Sequence, residues 1–125
     1  MNKQQISNIW QNALKDPSGL FKDADSIRRS NFGNKVELCS IINAKSGNCP
    51  QNCKFCAQSA HYNTVAPEYP LVSTEKMVTA SRQAAKVNAH GFGIVTSGDC
   101  VDPDKELFGI CDAISRIKKE GLINP

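Results

Sequence analysis

Three cysteines lie within eight residues of the chain, at Cys49, Cys53 and Cys56. Their spacing is C-x3-C-x2-C, and an aromatic residue, Phe55, comes directly before the third cysteine. Thiolates this close in sequence can converge on one metal centre if the loop folds around it. A 4Fe–4S cluster has four irons to ligate, and this loop offers three thiolates. One iron would therefore remain open to bind and activate another molecule.

Disulfide bonds and zinc binding are the alternatives to a cluster in this loop. The N-terminal residues 1–10 are polar and lack the apolar stretch of a secretory signal, so we expect a cytoplasmic protein. In that compartment close-set cysteines bind metal or react more often than they form disulfides. Zinc is the stronger alternative, because imidazole readily completes a closed site in a small, non-enzymatic module. The ligands would be Cys49, Cys53, Cys56 and His61.

Length and composition exclude several classes of protein. The chain has 125 residues, of which 40% are hydrophobic and 22% charged, as in a globular domain. No apolar run approaches the roughly 20 residues that cross a bilayer. The net charge is +3, the basic residues are dispersed and only 6% of the chain is aromatic, so we expect no nucleic-acid partner and no membrane partner. Three scattered cysteines are expected to be small buried hydrophobic residues: Cys39, Cys100 and Cys111.

The first residues of the chain predict helices. Apolar residues at helical spacing predict one helix from about Gln4 to Lys15, which Asp16 and Pro17 end. A second, shorter helix is predicted from Asp23 to Ser30. We therefore expect residues 1–34 to form an N-terminal helical extension.

Buried strands are predicted in the rest of the chain. The first, Val36–Ile42, is mostly apolar on both faces, as in a buried parallel sheet. The second is Phe92–Thr96, and Leu122 and Ile123 look like the start of a third. The cysteine loop and the turn at Ser97–Asp99 each follow one of these strands.

Two helices separate the predicted strands. One begins at Ser73 or Thr74, either of which can cap it, and ends before His90. The other begins at Asp102 with Pro103 in its first turn, and Gly121 ends it. Their predicted core faces are Met77, Ala80, Ala84 and Val87 in the first helix, and Leu107, Ile110, Cys111, Ile114 and Ile117 in the second.

Alternating strands and helices predict βαβ units and a parallel sheet. Ligands of such folds bind at the carboxyl ends of the strands, which is where both polar segments lie. A complete (β/α)8 barrel takes about 250 residues, and this chain supplies roughly two and a half units. We therefore expect an α/β fold in which residues 35–125 form the incomplete N-terminal part of a TIM-type barrel from a longer protein.

Several stretches of the sequence resemble a known enzyme family. The cysteine loop with Phe55 matches the C-x3-C-x-aromatic-C pattern of the radical S-adenosylmethionine enzymes. Its surroundings resemble the biotin synthase branch of that superfamily, and the resemblance runs from Val36 to Pro125. The stretches that carry it are Cys39–Asn48 (CSIINAKSGN), Ala57–Tyr62 (AQSAHY) and Phe92–Gly98 (FGIVTSG).

The resemblance implies a sulfurtransferase that inserts sulfur into dethiobiotin to form biotin. In this family the three loop cysteines hold a 4Fe–4S cluster, whose open iron binds the methionine moiety of S-adenosylmethionine. Reductive cleavage of that cofactor gives a 5′-deoxyadenosyl radical, which abstracts hydrogens from dethiobiotin, and an auxiliary iron–sulfur cluster supplies the sulfur. The family also implies a flavodoxin-type or ferredoxin-type electron donor and a homodimer at full length.

Further cofactor contacts follow from the resemblance. The backbone at Phe55 would lie near the adenine of S-adenosylmethionine, and Thr96, Ser97 and Gly98 would contact its methionine. Gly98 fits a plain turn glycine equally well. The near alternatives are radical enzymes that share the barrel, of the methylornithine synthase or hydrogenase-maturation type. On either assignment we expect this chain alone to be inactive.

One position departs from the family pattern. In the best-known biotin synthases a cysteine on the second strand ligates the auxiliary cluster, and this chain has Gly93 at that position. Cys39, on the first strand, is a weak candidate for a substitute ligand, and Cys100 is a weaker one. Cys111 is expected to be a packing residue on its helix.

Overall fold

The computed structural model describes residues 1–123, in which helices and strands alternate after an N-terminal helical pair. The elements in chain order are α1 (Lys3–Lys15), α2 (Ser18–Phe32), β1 (Cys39–Lys45), α3 (Thr74–Lys86), β2 (Gly91–Thr96) and α4 (Leu107–Glu120). The residues fall into two compact units, Met1–Val36 and the part from Glu37 onwards.

Both predicted N-terminal helices are present in the first unit. A capping box begins α1: the Asn2 side chain accepts from the Gln5 backbone N–H, and the Gln5 side chain accepts from the Asn2 N–H. Helix α2 begins at Ser18, five residues before the predicted start at Asp23, because the Asp16 carboxylate accepts the Ser18 N–H and stabilises the first turn.

Strands β1 and β2 form a two-stranded parallel sheet. Cys39 lies opposite Gly91 and Ile41 opposite Gly93, with an irregularity between Asn43 and Lys45. Strand β1 begins three residues after the predicted start at Val36 and extends to Lys45. Parallel pairing and the mixed α/β class are confirmed for the described residues.

The two faces of the sheet differ in burial. Ile42, Ala44, Phe92 and Ile94 pack in the core of the second unit. The opposite face carries Cys39, Ile41 and Asn43, and the Ile41 side chain is 68% exposed. The prediction that β1 is buried on both faces is therefore wrong for this chain, because no helix or strand of the described residues of the second unit covers the second face.

Helices α3 and α4 pack against each other and build the rest of the core. Ser73 caps α3 by accepting the Lys76 N–H, as predicted, and the Thr74 hydroxyl donates to the Gly109 carbonyl at 3.1 Å. The buried core side chains are Ala44, Met77, Val78, Ala84, Ala89, Phe92, Ala113, Ile117 and Ile123.

The predicted core face of α4 is partly wrong. Cys111 and Leu107 are exposed, whereas Ala113, which lies outside the predicted face, is completely buried. Small side chains let two helices approach closely, so the contact surface of α4 centres on Ala113 and Ile117, and Cys111 lies on the opposite, exposed side of the helix. On α3, Val87 is also exposed, because the helix ends at Lys86.

Helix α4 starts later than predicted. The Asp102 carboxylate accepts the N–H groups of Asp104 and Lys105, which closes a turn, and the helix begins at Leu107. Gly121 ends it in a left-handed conformation, as predicted. Leu122 and Ile123 form a bend rather than a strand, and the rest of the predicted third strand lies outside the described residues.

Across residues 1–123, no helix is both long enough and apolar enough to cross a membrane.

Candidate metal-cluster site

The cysteine loop follows the carboxyl end of β1, and the segment Ser97–Asp99 follows the carboxyl end of β2. The strands are parallel neighbours, so their carboxyl ends meet at one edge of the sheet. The predicted placement of both polar segments at this edge is confirmed.

Cys49 is fixed by its backbone at the base of the loop. Its N–H donates to the Gln58 carbonyl at 2.9 Å, and its carbonyl accepts the Ala60 N–H at 2.8 Å. These bonds form an isolated parallel bridge between Cys49 and Ser59. Cys49 is only 8% exposed, so the first candidate ligand is both held in place and shielded from solvent.

Cys53 and Cys56 lie together at the far end of the loop. The Cys56 N–H donates to the Cys53 carbonyl at 3.0 Å, which closes a turn between them. Cys53 is exposed and Cys56 is half-buried. Phe55, between them, is 96% exposed and lines a cleft of about 200 Å³ with Tyr62 and Thr64. This tip is the part of the loop that is open to a ligand.

Side chains tie the second half of the loop to the first. The Ser59 hydroxyl donates to the Gln51 carbonyl at 2.6 Å, and the Tyr62 hydroxyl donates to Asn52 Oδ1 at 2.5 Å. His61 Nε2 lies 2.9 Å from the Pro50 carbonyl. A histidine that donates from Nε2 to this carbonyl keeps only Nδ1 for a metal.

A tight turn leads from β1 into the loop. Gly47 and Asn48 both have positive φ, of 75° and 51°. A Cβ atom on Gly47 would lie 3.1 Å from Glu68 Cα and closer still to the Glu68 side chain. The turn is held by Gln58, whose Oε1 accepts the Gly47 N–H and, at 3.0 Å, the Ser46 hydroxyl.

The segment after β2 contacts this turn and the loop. The buried Ser97 hydroxyl donates to the Gly47 carbonyl at 2.8 Å, and the Ser97 N–H donates to the Lys45 carbonyl at 2.9 Å. Gly98 has a φ of 113°, which favours glycine and supports its interpretation as a turn residue. Thr96 pairs with Lys45 in the sheet. The side chains of Gln51 and Asp99 add a hydrogen bond of 2.9 Å.

An ion pair borders the site on the side of α4. Lys45 Nζ lies 2.7 Å from Glu106 Oε1, and the two side chains are 27% and 13% exposed. The hydrogen bond from Lys45, helped by one from the Asp102 N–H, lowers the pKa of the Glu106 carboxyl below its ordinary value of 4.5. Both residues line a cleft of about 460 Å³ together with Gly47, Glu68 and Tyr69.

The donor set suits an iron–sulfur cluster, because Cys49, Cys53 and Cys56 are all free thiols on one loop. Within residues 1–123, however, no three His, Cys, Asp or Glu side chains lie close enough together to hold a metal ion. Binding through all three cysteines therefore requires the loop to draw the thiols together. The same holds for the Cys3His zinc alternative with His61.

The three scattered cysteines are more accessible than expected. Cys39 is exposed on the open face of the sheet, where its sulfur would lie 3.4 Å from a Cβ built on Gly91. Gly93 lies on the same face beside Ile41. Cys100 and Cys111 are exposed as well. The prediction that these three cysteines are buried is wrong. Cys39 lies on the uncovered face of the sheet, Cys111 on the exposed side of α4 and Cys100 in the bend after β2.

Sequence reasoning misses the residues that hold the loop in shape. Gln58 belongs to a stretch that resembles the family, but no pattern gives it a role, and nothing in the sequence singles out Glu106. Neither contact leaves a periodic pattern, since Gln58 reaches Gly47 across the loop and Glu106 reaches Lys45 from another element. The Lys45-Ser46-Gly47 stretch, with its glycine, is the only signal of the turn.

The three-cysteine loop at the carboxyl end of a parallel strand defines a candidate metal-cluster site. The chain is similar along its whole length to proteins named biotin synthase, and the resemblance inferred from the loop is confirmed. It is 52% identical over 125 residues to the protein from Geobacter sulfurreducens, covering 100% of this chain and 38% of that protein. The identity is 50% over 121 residues for Geotalea daltonii (97% and 36% covered) and 47% over 127 residues for Geobacter metallireducens (98% and 39%).

The chain thus spans less than two fifths of the length of these relatives. No protein-family model matches it.

Proposed function

We propose that this chain provides the cluster-binding part of a biotin-synthase-like radical S-adenosylmethionine enzyme, within an incomplete (β/α) barrel formed by residues 35–125. The observation that carries the proposal is the 52% identity, over the whole chain, to a protein named biotin synthase. Three free cysteines on one loop at the carboxyl edge of the sheet support it independently. The substrate would be dethiobiotin and the reaction the insertion of sulfur.

Cys49, Cys53 and Cys56 would hold the cluster. Cys49 is fixed in position before binding, and the Cys53–Cys56 turn at the exposed tip would close towards it. When bound, the cluster supplies an electron and an open iron for the reductive cleavage of S-adenosylmethionine. An electron donor of flavodoxin or ferredoxin type and a homodimer of the longer protein belong to the same proposal.

The other predicted cofactor contacts lie at the carboxyl edge of the sheet and at the tip of the cysteine loop. Thr96 and Gly98 would present backbone groups to the bound cofactor, as would Phe55 at the loop tip. Ser97 differs from them, because both its hydroxyl and its N–H already make hydrogen bonds within the chain. Its side chain is therefore proposed to support the site rather than to contact the cofactor.

Anaerobic reconstitution of the chain with ferrous iron and sulfide tests the proposal. We expect a brown protein whose reduced electron paramagnetic resonance spectrum changes when S-adenosylmethionine is added. Replacing any one loop cysteine, as in Cys53→Ala, is expected to abolish cluster binding, because the loop has no spare thiol. Cys111→Ala is the matched control: Cys111 is exposed on α4, so its removal should leave the iron content unchanged.

A colourless protein that binds one zinc ion tightly, and loses it in the His61→Ala variant, would contradict the proposal and support the zinc module. Because the chain spans 38% of the Geobacter sulfurreducens relative, we expect cluster binding without biotin formation. Biotin formed by this chain alone would contradict that expectation.

A further inference from the structure

Two side chains from different parts of the chain meet at the peptide groups of Gly47. The Gly47 N–H donates to Gln58 Oε1, and the Gly47 carbonyl accepts the Ser97 hydroxyl at 2.8 Å. Both backbone polar groups of this residue are therefore satisfied by side chains rather than by a regular element. Gly47 lies two residues before the first loop cysteine.

These contacts are shielded from solvent. Ser97 is 7% exposed and Ser46 is 2% exposed, and the Ser46 hydroxyl donates to the same Gln58 oxygen at 3.0 Å. A donor or acceptor left without a partner in such surroundings costs free energy. Removal of either side chain would therefore favour a different backbone path through Gly47.

Gln58 also acts on the first candidate ligand directly. Its backbone carbonyl accepts the Cys49 N–H at 2.9 Å, while its side chain holds Gly47. One residue therefore fixes both the turn that enters the loop and the cysteine that follows. Ser97 attaches the same turn to the end of β2.

We propose that Gln58 and Ser97 are positioning residues for the cluster, which hold the Gly47 turn so that Cys49 is in place before metal binds. This inference rests on the proposed function. Neither side chain is assigned a contact with the cluster, and both act through the backbone of the loop. Outer groups that orient metal ligands commonly contribute about tenfold to a hundredfold to metal affinity.

The test compares Gln58→Ala and Ser97→Ala with two controls of the same chemical change, Gln83→Ala and Ser115→Ala, at exposed positions of α3 and α4. Each reconstituted chain is treated with an iron chelator, and the loss of cluster absorbance is followed. We expect loss about tenfold to a hundredfold faster in the two test variants and unchanged loss in the controls. Gln58→Glu, which keeps the acceptor oxygen, should restore slow loss.

A second measurement does not depend on the cluster. In the metal-free chain, amide hydrogen exchange at Cys49 should be about tenfold faster in the two test variants, since exchange reports local opening. Far-UV circular dichroism of the metal-free variants shows whether the fold is retained.

The outcomes separate the two proposals. A wild-type chain that takes up no iron contradicts the proposed function, whatever the variants do. Iron uptake by the wild type, with equal cluster loss in wild type and test variants, overturns the positioning role. Equal loss from Gln58→Ala and Gln58→Glu also overturns it, because the acceptor oxygen would then be irrelevant.

Discussion

Gly47 is the residue at which backbone conformation matters most for the loop. Its φ of 75° lies in the left-handed region, and a Cβ there would press on the backbone of Glu68. Asn48 also has positive φ, but asparagine tolerates this conformation better than most residues. The entrance to the cysteine loop therefore depends on one glycine.

Gly47→Ala is expected to destabilise the second unit by about 1–3 kcal/mol, the usual range for a strained backbone position. Urea unfolding followed by the fluorescence of Tyr62 and Tyr69, the two tyrosines of the chain, measures this effect within that unit.

Gly19→Ala is the control, with the opposite expected sign. Gly19 lies in α2 with open space around it, and alanine is favoured over glycine in a helix by roughly 0.5–1 kcal/mol. Fluorescence of Trp10, in the first unit, reports this change. If Gly47→Ala leaves the stability of the second unit unchanged, the proposed constraint on this turn is wrong.

The residues that supply chemistry can be predicted from the sequence better than the residues that hold them. Three cysteines at close spacing identify the candidate ligands without any structure. The hydrogen bond from Ser97 to Gly47 joins residues 50 positions apart, and no local pattern indicates it. The family resemblance predicts Ser97 as a cofactor contact, and the structure adds a hydrogen bond from its hydroxyl to the Gly47 carbonyl.

Among the elements, β1 and α4 are joined by the ion pair between Lys45 and Glu106. Lys45 is the last residue of the strand, and Glu106 directly precedes the helix. The Glu106 carboxylate also accepts the Asp102 N–H at 3.1 Å. One carboxylate thus links the strand that enters the cysteine loop to the turn that precedes α4.

This link predicts a pH-dependent contribution to stability. The pKa of Glu106 is lower in the folded state than its ordinary value of 4.5, so the contribution is complete above the ordinary value. It is lost as the pH falls through the lowered, folded-state pKa. Glu106→Gln should therefore cost about 1 kcal/mol at neutral pH and nothing below that folded-state pKa.

Urea unfolding of the wild type and Glu106→Gln between neutral and acidic pH measures this contribution. Glu37→Gln, at an exposed position, corrects for the general effect of losing one carboxylate. A difference between wild type and Glu106→Gln that stays constant across this pH range would show that the ion pair does not contribute as proposed.

The helices and strands can mostly be predicted, while their ends depend on tertiary contacts. Ser73 and Gly121 mark the ends of α3 and α4 correctly, because caps are local. The apolar pattern predicts that β1 starts at Val36, but pairing with β2 begins at Cys39 opposite Gly91. The register of a strand is set by its partner, which a single segment does not contain.

At the scale of the second unit, one face of the sheet is uncovered. Ile41 is 68% exposed and Val95 is 45% exposed, and both belong to this face. Uncovered apolar sheet surfaces and unpaired strand edges favour association between chains. We expect this chain to self-associate as its concentration rises.

Ile41→Lys should reduce that association and change stability by no more than about 0.5 kcal/mol, as for most surface positions. Ile42→Lys is the contrasting variant: Ile42 packs against the core, so an unpaired ammonium there should cost more than about 2 kcal/mol. Sedimentation velocity across a concentration series measures association, and urea unfolding measures stability. Equal destabilisation by both variants would show that Ile41 is covered in solution.

The hydrogen bonds within the cysteine loop have a consequence for the order in which parts of the chain fold during synthesis. The bonds that join Ser46 to Gln58, Cys49 to Ser59 and Asn52 to Tyr62 all lie within one short stretch of chain. Contacts of low sequence separation form quickly. The loop can take shape once Tyr62 has left the ribosome, before β2 has emerged from it. The hydrogen bond from Ser97 to the Gly47 carbonyl then forms on a cysteine loop that has already folded.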